Sequence, residues 1–264
     1  MNKIPLFALA LLGATSALAA PSDEQDRTPI TIPAGSFESV LPPAPDSKTV
    51  AIRSFRIDST PVTNEQFRRF VIAHPEWQRG HVARVFADER YLEHWPTATD
   101  IAPEQREQPV VRVSWFAANA YCESRGARLP TWHEWEYVAA ASPTERDGRA
   151  DIAWRQQTLN LYHRTGRGTL PNVGSTPANV YGVRDLHGVA WEWVDDVSAL
   201  LVSADNREQS EPNALRFCGA GALTMEQKEN YAIVMRIALL SSMQAQYTNA
   251  LMGFRCVTEI GVTK

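Results

Sequence analysis

Soft donors gather near the C-terminus of this 264-residue chain. Cys218 stands in Arg216-Phe217-Cys218-Gly219-Ala220-Gly221-Ala222-Leu223, and Met225, Met235, Met243 and Met252 follow it; the only other methionine is the initiator. Thiolate and thioether ligands select Cu(I), so Cys218 with Met225 is a candidate copper-ligand pair and Cys218 a candidate catalytic thiol. The competing reading is structural. Methionines fill irregular cores and a free cysteine packs as a small hydrophobe, and the methionine spacing matches no compact motif. Hard donors lie earlier, in Asp185-Leu186-His187-Gly188-Val189-Ala190-Trp191-Glu192. Two carboxylates there flank a glycine turn whose carbonyls, at Gly188 and Ala190, can point inward, a set that suits calcium with its oxygen ligands. Alternatively Glu192 caps a turn and Asp185 forms one. His187 with Asp195 and Asp196 could hold a metal or act as an acid/base pair, against a reading as solvated surface charge. His133-Glu134-Trp135-Glu136 lacks the second histidine of a zinc-protease motif. No Ser-His-Asp arrangement or phosphate loop can be read.

Several elements must position these groups. Thr63-Asn64-Glu65-Gln66, followed by Phe67, Phe70 and Val71, has a hydroxyl residue three positions before a glutamine and then apolar spacings of three and four: a capping box opening an amphipathic helix. Thr131-Trp132-His133-Glu134 repeats the device and predicts a second helix from about Trp132 to the alanines at 139 to 141. That capping role already accounts for Glu134. A further helix is expected over Trp115 to Ser124, ending at Gly126, with a strand at Pro109-Val110-Val111-Arg112-Val113 before it. Ile30 to Ile57 reads as short strands and turns, Gly80 to Gln108 as a loop-rich stretch, and Ser142 to Pro177 as extended irregular chain. Trp115, Trp135, Trp191 and Trp193 are large apolar surfaces expected in the core.

The first residues carry one basic side chain, Lys3, an apolar run from Ile4 to Leu12 and small residues ending in Ala17-Leu18-Ala19. This pattern reads as a secretory signal peptide over residues 1–19, with cleavage after Ala19, a polar leader over residues 20–29 and one domain over residues 30–260. The apolar run is far short of the roughly 20 residues that span a bilayer, so no membrane span is expected after cleavage. The expected location is the periplasm. A net charge of −4 and scattered lysines and arginines form no basic stripe, which excludes nucleic acid as a partner. Three cysteines in an oxidising compartment allow one disulfide and leave one thiol over.

Four blocks, in order, resemble the sulfatase-modifying-factor domain of formylglycine-generating enzymes. They are Pro61-Val62-Thr63-Asn64-Glu65-Gln66-Phe67; Pro109 to Trp115 with Ala120-Tyr121-Cys122, Arg128-Leu129-Pro130-Thr131 and Glu134-Trp135-Glu136-Tyr137; Asn179 to Gly188 with Trp191-Glu192-Trp193; and Gly253-Phe254-Arg255-Cys256. The resemblance implies an α+β, C-type-lectin-like fold with little regular secondary structure. It implies a structural calcium site at Asp185, Gly188, Ala190 and Glu192, with Asp185 where the family usually has Asn, and a disulfide between Cys122 and Cys256. It also implies copper chemistry at two nearby cysteines that this chain lacks: Met225 stands at the first position, Asn230 near the second, and Ala222 replaces the preceding serine. Conversion of cysteine to formylglycine by that mechanism is therefore not expected. The altered segment is similar to that of NirV-type periplasmic members. The expected role is an oxidative modifier or maturation factor acting on another exported protein or peptide, such as a redox metalloenzyme. Two alternatives stand beside it: an oxidase of a siderophore or other peptide precursor, and a noncatalytic lectin-like binding module.

Overall fold

The computed structural model describes residues 29–41, 47–165, 168–197 and 231–261. The expected signal peptide, most of the leader, Cys218 and Met225 lie outside them. Both chain ends of the domain meet in one sheet. Strand β1 (Ile30–Ile32) pairs antiparallel with β4 (Phe55–Ile57), and β4 with β7 (Val257–Glu259), so the last strand completes a sheet begun by the first. Between them β2 (Gly35–Glu38) and β3 (Thr49–Ile52) form a separate antiparallel pair whose alternate residues Phe37, Val50 and Ile52 face the core.

The helices begin where their caps dictate. Thr63 accepts the Gln66 N–H while the Gln66 side chain accepts the Thr63 N–H, starting α1 (Asn64–Ala73). Ser114 caps α2 (Trp115–Ser124), and the Thr131–Glu134 box starts α3 (Trp132–Ala139). Glu134 also forks onto Arg128 with two contacts of 2.7 Å, which anchors the Leu129–Pro130 turn leading into α3. Two further helices were not expected: α4 (Ile152–Arg164), capped by the Asp151 carboxylate, and α5 (Tyr231–Ser241). The irregular reading of residues 142 to 177 is thus corrected. Its missed signal is Asp151 followed by Trp154, Thr158, Leu161 and Tyr162, a one-faced spacing of four, seven and eight. Conversely, Pro109 to Val113 forms no strand. Val110 N–H reaches Val62 O, whereas Arg112 N–H reaches Asn249 O and Arg112 takes a left-handed φ of 54°, so residues two apart serve different neighbours.

Tryptophans fill the space that long helices would otherwise fill. Trp95, Trp132, Trp135 and Trp193 are buried, each with its indole N–H on an oxygen: Asn64, Glu136, Glu192 and the Val113 carbonyl respectively. Trp115 and Trp191 are only partly buried, at the edge of the core. Cys122, in α2, is bonded to Cys256, just before β7, with Cα atoms 5.6 Å apart and a sequence separation of 134.

Candidate functional site

The segment from Asn179 to Trp193 is folded by its own side chains. Asn179 accepts the N–H groups of Tyr181 and Val183 and donates to Val138 O, which fixes the turn onto the end of α3. Gly188 has a φ of 82°, and a Cβ there would run into Leu161 of α4; only glycine permits this approach. Strand β5 (Trp191–Glu192) then pairs in parallel with β6 (Met252–Gly253), bringing Glu192 against Arg255.

Glu192 and Arg255 are both fully buried. The guanidinium grips both carboxylate oxygens, with Nη2 to Oε1 at 2.8 Å and Nε to Oε2 at 2.9 Å, and Trp135 Nε1 donates to Oε2 at 2.8 Å. Arg255 also donates to the carbonyls of Asp58 and Arg184. A second buried cation, Arg236 of α5, stacks on the Trp135 ring at 3.6 Å and donates to the Glu192 carbonyl. Burial lowers Arg236 to about 10, so it stays charged at neutral pH. One carboxylate thus faces two guanidiniums.

This arrangement does not fit calcium. Asp185, the other expected ligand, accepts from Gly174 N–H, Thr176 N–H and the Thr176 hydroxyl, while Glu192 is saturated and sits beside a surplus positive charge. A calcium cage needs several oxygens with free lone pairs, and both carboxylates of the expected set, Asp185 and Glu192, already face donors, which leaves the Gly188 and Ala190 carbonyls without a charged partner in the set. Among the described residues no three His, Cys, Asp or Glu side chains converge as a metal site. The Asp185 carboxylate ties its segment to residues 174 and 176 upstream rather than closing a turn of its own.

His187 is not part of a surface cluster with Asp195 and Asp196. Its Nε2 contacts Ala139 O at 2.9 Å and its Nδ1 the Tyr162 hydroxyl at 2.9 Å, with Trp135, Trp154 and Tyr162 around the ring. Burial lowers it to about 4, so the neutral imidazole donates from Nε2 and accepts at Nδ1. Asp196 instead receives the first N–H of α3, from Trp132 at 2.7 Å. Of the C-terminal methionines, Met243 and Met252 are core residues and Met235 is 41% exposed. His133 contacts Leu41 O.

Residues 15–260 match the sulfatase-modifying factor enzyme 1-like domain. The chain belongs to this family. Inactive C-alpha-formylglycine-generating enzyme 2 of Mus musculus is 32% identical over 212 residues, covering 64% of this chain and 68% of that protein. The serine/threonine-protein kinase pkn1 of Chlamydia caviae is 30% identical over 148 residues, covering 56% of this chain; the match spans only 23% of the kinase. The solved structure of PvdO from Pseudomonas aeruginosa, 19% identical, superposes with a TM-score of 0.50 over 88% of this chain and 94% of that one, a likeness of fold. Arg255 stands in the fourth block with no role that the sequence assigns it, and Arg236 belongs to none of the four blocks. An arginine inside an otherwise apolar helix, Ile233-Val234-Met235-Arg236-Ile237, was the available signal.

Proposed function

We propose that this family member is an exported periplasmic protein that acts on another exported protein or peptide, as an oxidative modifier or as a maturation factor for a redox metalloenzyme in the manner of NirV-type members. The observation that carries the reading is a scaffold retained around altered chemistry. The four blocks, the Glu192–Arg255 pair and the Cys122–Cys256 disulfide are all present, while Met225 and Asn230 stand where copper-binding cysteines are expected. The N-terminal apolar segment and the disulfide support the periplasmic location, since disulfides persist in oxidising compartments. No helix among the described residues is long and apolar enough to cross a membrane.

Cys218 and Met225 are the candidate soft ligands for copper. A Cu(I) competition titration of the mature, disulfide-intact protein, run beside Cys218→Ser, tests this. One-to-one binding that is lost in the variant supports a rebuilt copper site and oxidative chemistry. Binding no better than to albumin overturns the copper role. The second reading, a noncatalytic binding module, is favoured by a relative whose name calls it inactive; oxygen uptake dependent on an exported partner protein would rule it out.

A further inference from the structure

A cavity of about 180 Å³ opens beneath the start of α1, where four separate stretches of chain converge. Its polar lining is Asn64, His94, Gln105, Gln108, Arg112 and Thr169, with Leu170 among its apolar residues. It uses none of the residues of the copper proposal.

The orientation of its polar groups follows from one donor. Trp95 Nε1 can only donate, and it lies 2.9 Å from Asn64 Oδ1. The Asn64 amide is thereby fixed with its oxygen toward Trp95 and its nitrogen toward the carbonyls of Gln105 and Gln108, at 2.9 and 3.4 Å. His94 Nε2 lies 3.4 Å from that same oxygen and must therefore be the protonated nitrogen. The other ring nitrogen, Nδ1, is then an acceptor; it is buried and has no partner among the described residues. The Gln105 side-chain amide also lines the cavity, with Oε1 buried and without a partner among the described residues; no hydrogen bond there holds either end of the amide, so it offers the cavity an acceptor or a donor. Buried polar atoms are normally satisfied, and exceptions call for an occupant. The lining residue Arg112 is strained as well: it takes a left-handed φ of 54°, and its carbonyl accepts the N–H of the core residue Leu92, whose φ is 49°. Such backbone outliers cluster at ligand sites.

Charge narrows the class of occupant. Burial, then Arg112 and Arg79, lowers His94 to about 4, so the imidazole stays an acceptor at neutral pH; Arg112 is itself paired with Glu93 at 2.7 Å, and none of the lining residues is a carboxylate that would receive an ammonium ion. A carboxylate has no proton to offer the His94 nitrogen, whereas a carboxamide offers one and can pair with the Gln105 amide in either orientation. We propose that this cavity binds a neutral primary carboxamide, whose two N–H bonds meet His94 Nδ1 and Gln105 Oε1. The volume suits a group of modest size, since a cavity of about 150 Å³ accommodates one benzene. The carboxamide could belong to a free small amide or to a glutamine or asparagine side chain of a peptide.

The test is a titration of the ¹⁵N-labelled mature protein with butyramide, butyrate and butylammonium, read on the His94 imidazole nitrogens, which His94→Leu assigns. Saturable butyramide binding, roughly tenfold tighter than either ion and weakened as much by Gln105→Met, supports the site. Gln105 lies on a surface turn at Pro103–Gln105, so its variant probes binding without disturbing the core. Equal or tighter binding of butyrate, no saturable binding up to the solubility of the amide, or unchanged affinity in both variants overturns it. A capped Ala-Gln-Ala peptide binding more tightly than butyramide, and its Ala-Leu-Ala counterpart not at all, identifies a peptide side chain as the source; the reverse order identifies a free amide.

Discussion

Two buried polar clusters in this protein have opposite hydrogen-bonding states. Around Glu192 every carboxylate oxygen has a donor, and Arg255, Trp135 and Arg236 enclose it in the core. Around His94 the ring is held through Asn64 and Trp95, but its Nδ1 and the Gln105 amide face an open cavity without partners among the described residues. Glu192 belongs to a family block and serves as scaffold, whereas the cavity draws Asn64 and Arg112 from family blocks and His94 and Gln105 from the loop between them. A saturated carboxylate resists any newcomer, because a ligand must first displace good partners, and the Arg236 Nε beside it is a buried donor without a partner among the described residues; an unsatisfied acceptor gains by receiving a donor.

The largest break in that contrast should come from Arg255→Met. Taking the guanidinium fork from the buried Glu192 carboxylate, which keeps only the Trp135 N–H and the nearby Arg236, should lower unfolding free energy by about 3 kcal/mol in urea titrations, and Glu192→Leu in the same chain should restore much of it. A double variant no better than the single one would mean that the pair is not the unit holding the centre. Removing the neighbouring disulfide with Cys122→Ser and Cys256→Ser should cost about 2–4 kcal/mol; the chain-entropy model gives roughly 5 for so long a loop. Equal stability of the oxidised and reduced wild-type protein would contradict this.

Acid separates the clusters more finely. His187 and His94 both protonate near 4 when folded, against an ordinary value of 6.5. Unfolded histidines bind protons between those values and folded ones do not, so each contributes stability present above pH 6.5 and lost as pH falls toward 4. His187→Gln should flatten the stability profile in that window by about one proton, or about 1.4 kcal/mol per pH unit. An unchanged slope would remove His187 from the buried centre. The smallest effect is expected from chelation: with Asp185 and Glu192 already satisfied, EDTA should leave the melting temperature of the mature protein unchanged. A clear drop reversed by calcium would show that these carboxylates exchange partners.

Much of the framework was legible because its signals are local. Both capping boxes state where a helix starts through two side chains three residues apart, and α1 and α3 begin there. The strand expected at Pro109 to Val113 failed because a β-branched run says only that a segment is extended, not which neighbours will take its N–H groups. Helix α4 was obscured by glycines and prolines on either side, although Asp151 marked its start. The calcium assignment turned on a distant partner: nothing in Asp185 to Glu192 announces that Arg255, 63 residues on, will occupy the carboxylate.

By itself the sequence determined the caps, the order of the four blocks, the family, and the loss of the two expected cysteines. Those depend on residue identity and short spacing, which a linear chain displays directly. Only the tertiary structure decided which carboxylates are free to bind. Hydrogen-bond saturation is a property of groups brought together from distant positions, and it separates the closed centre at Glu192 from the open one at His94.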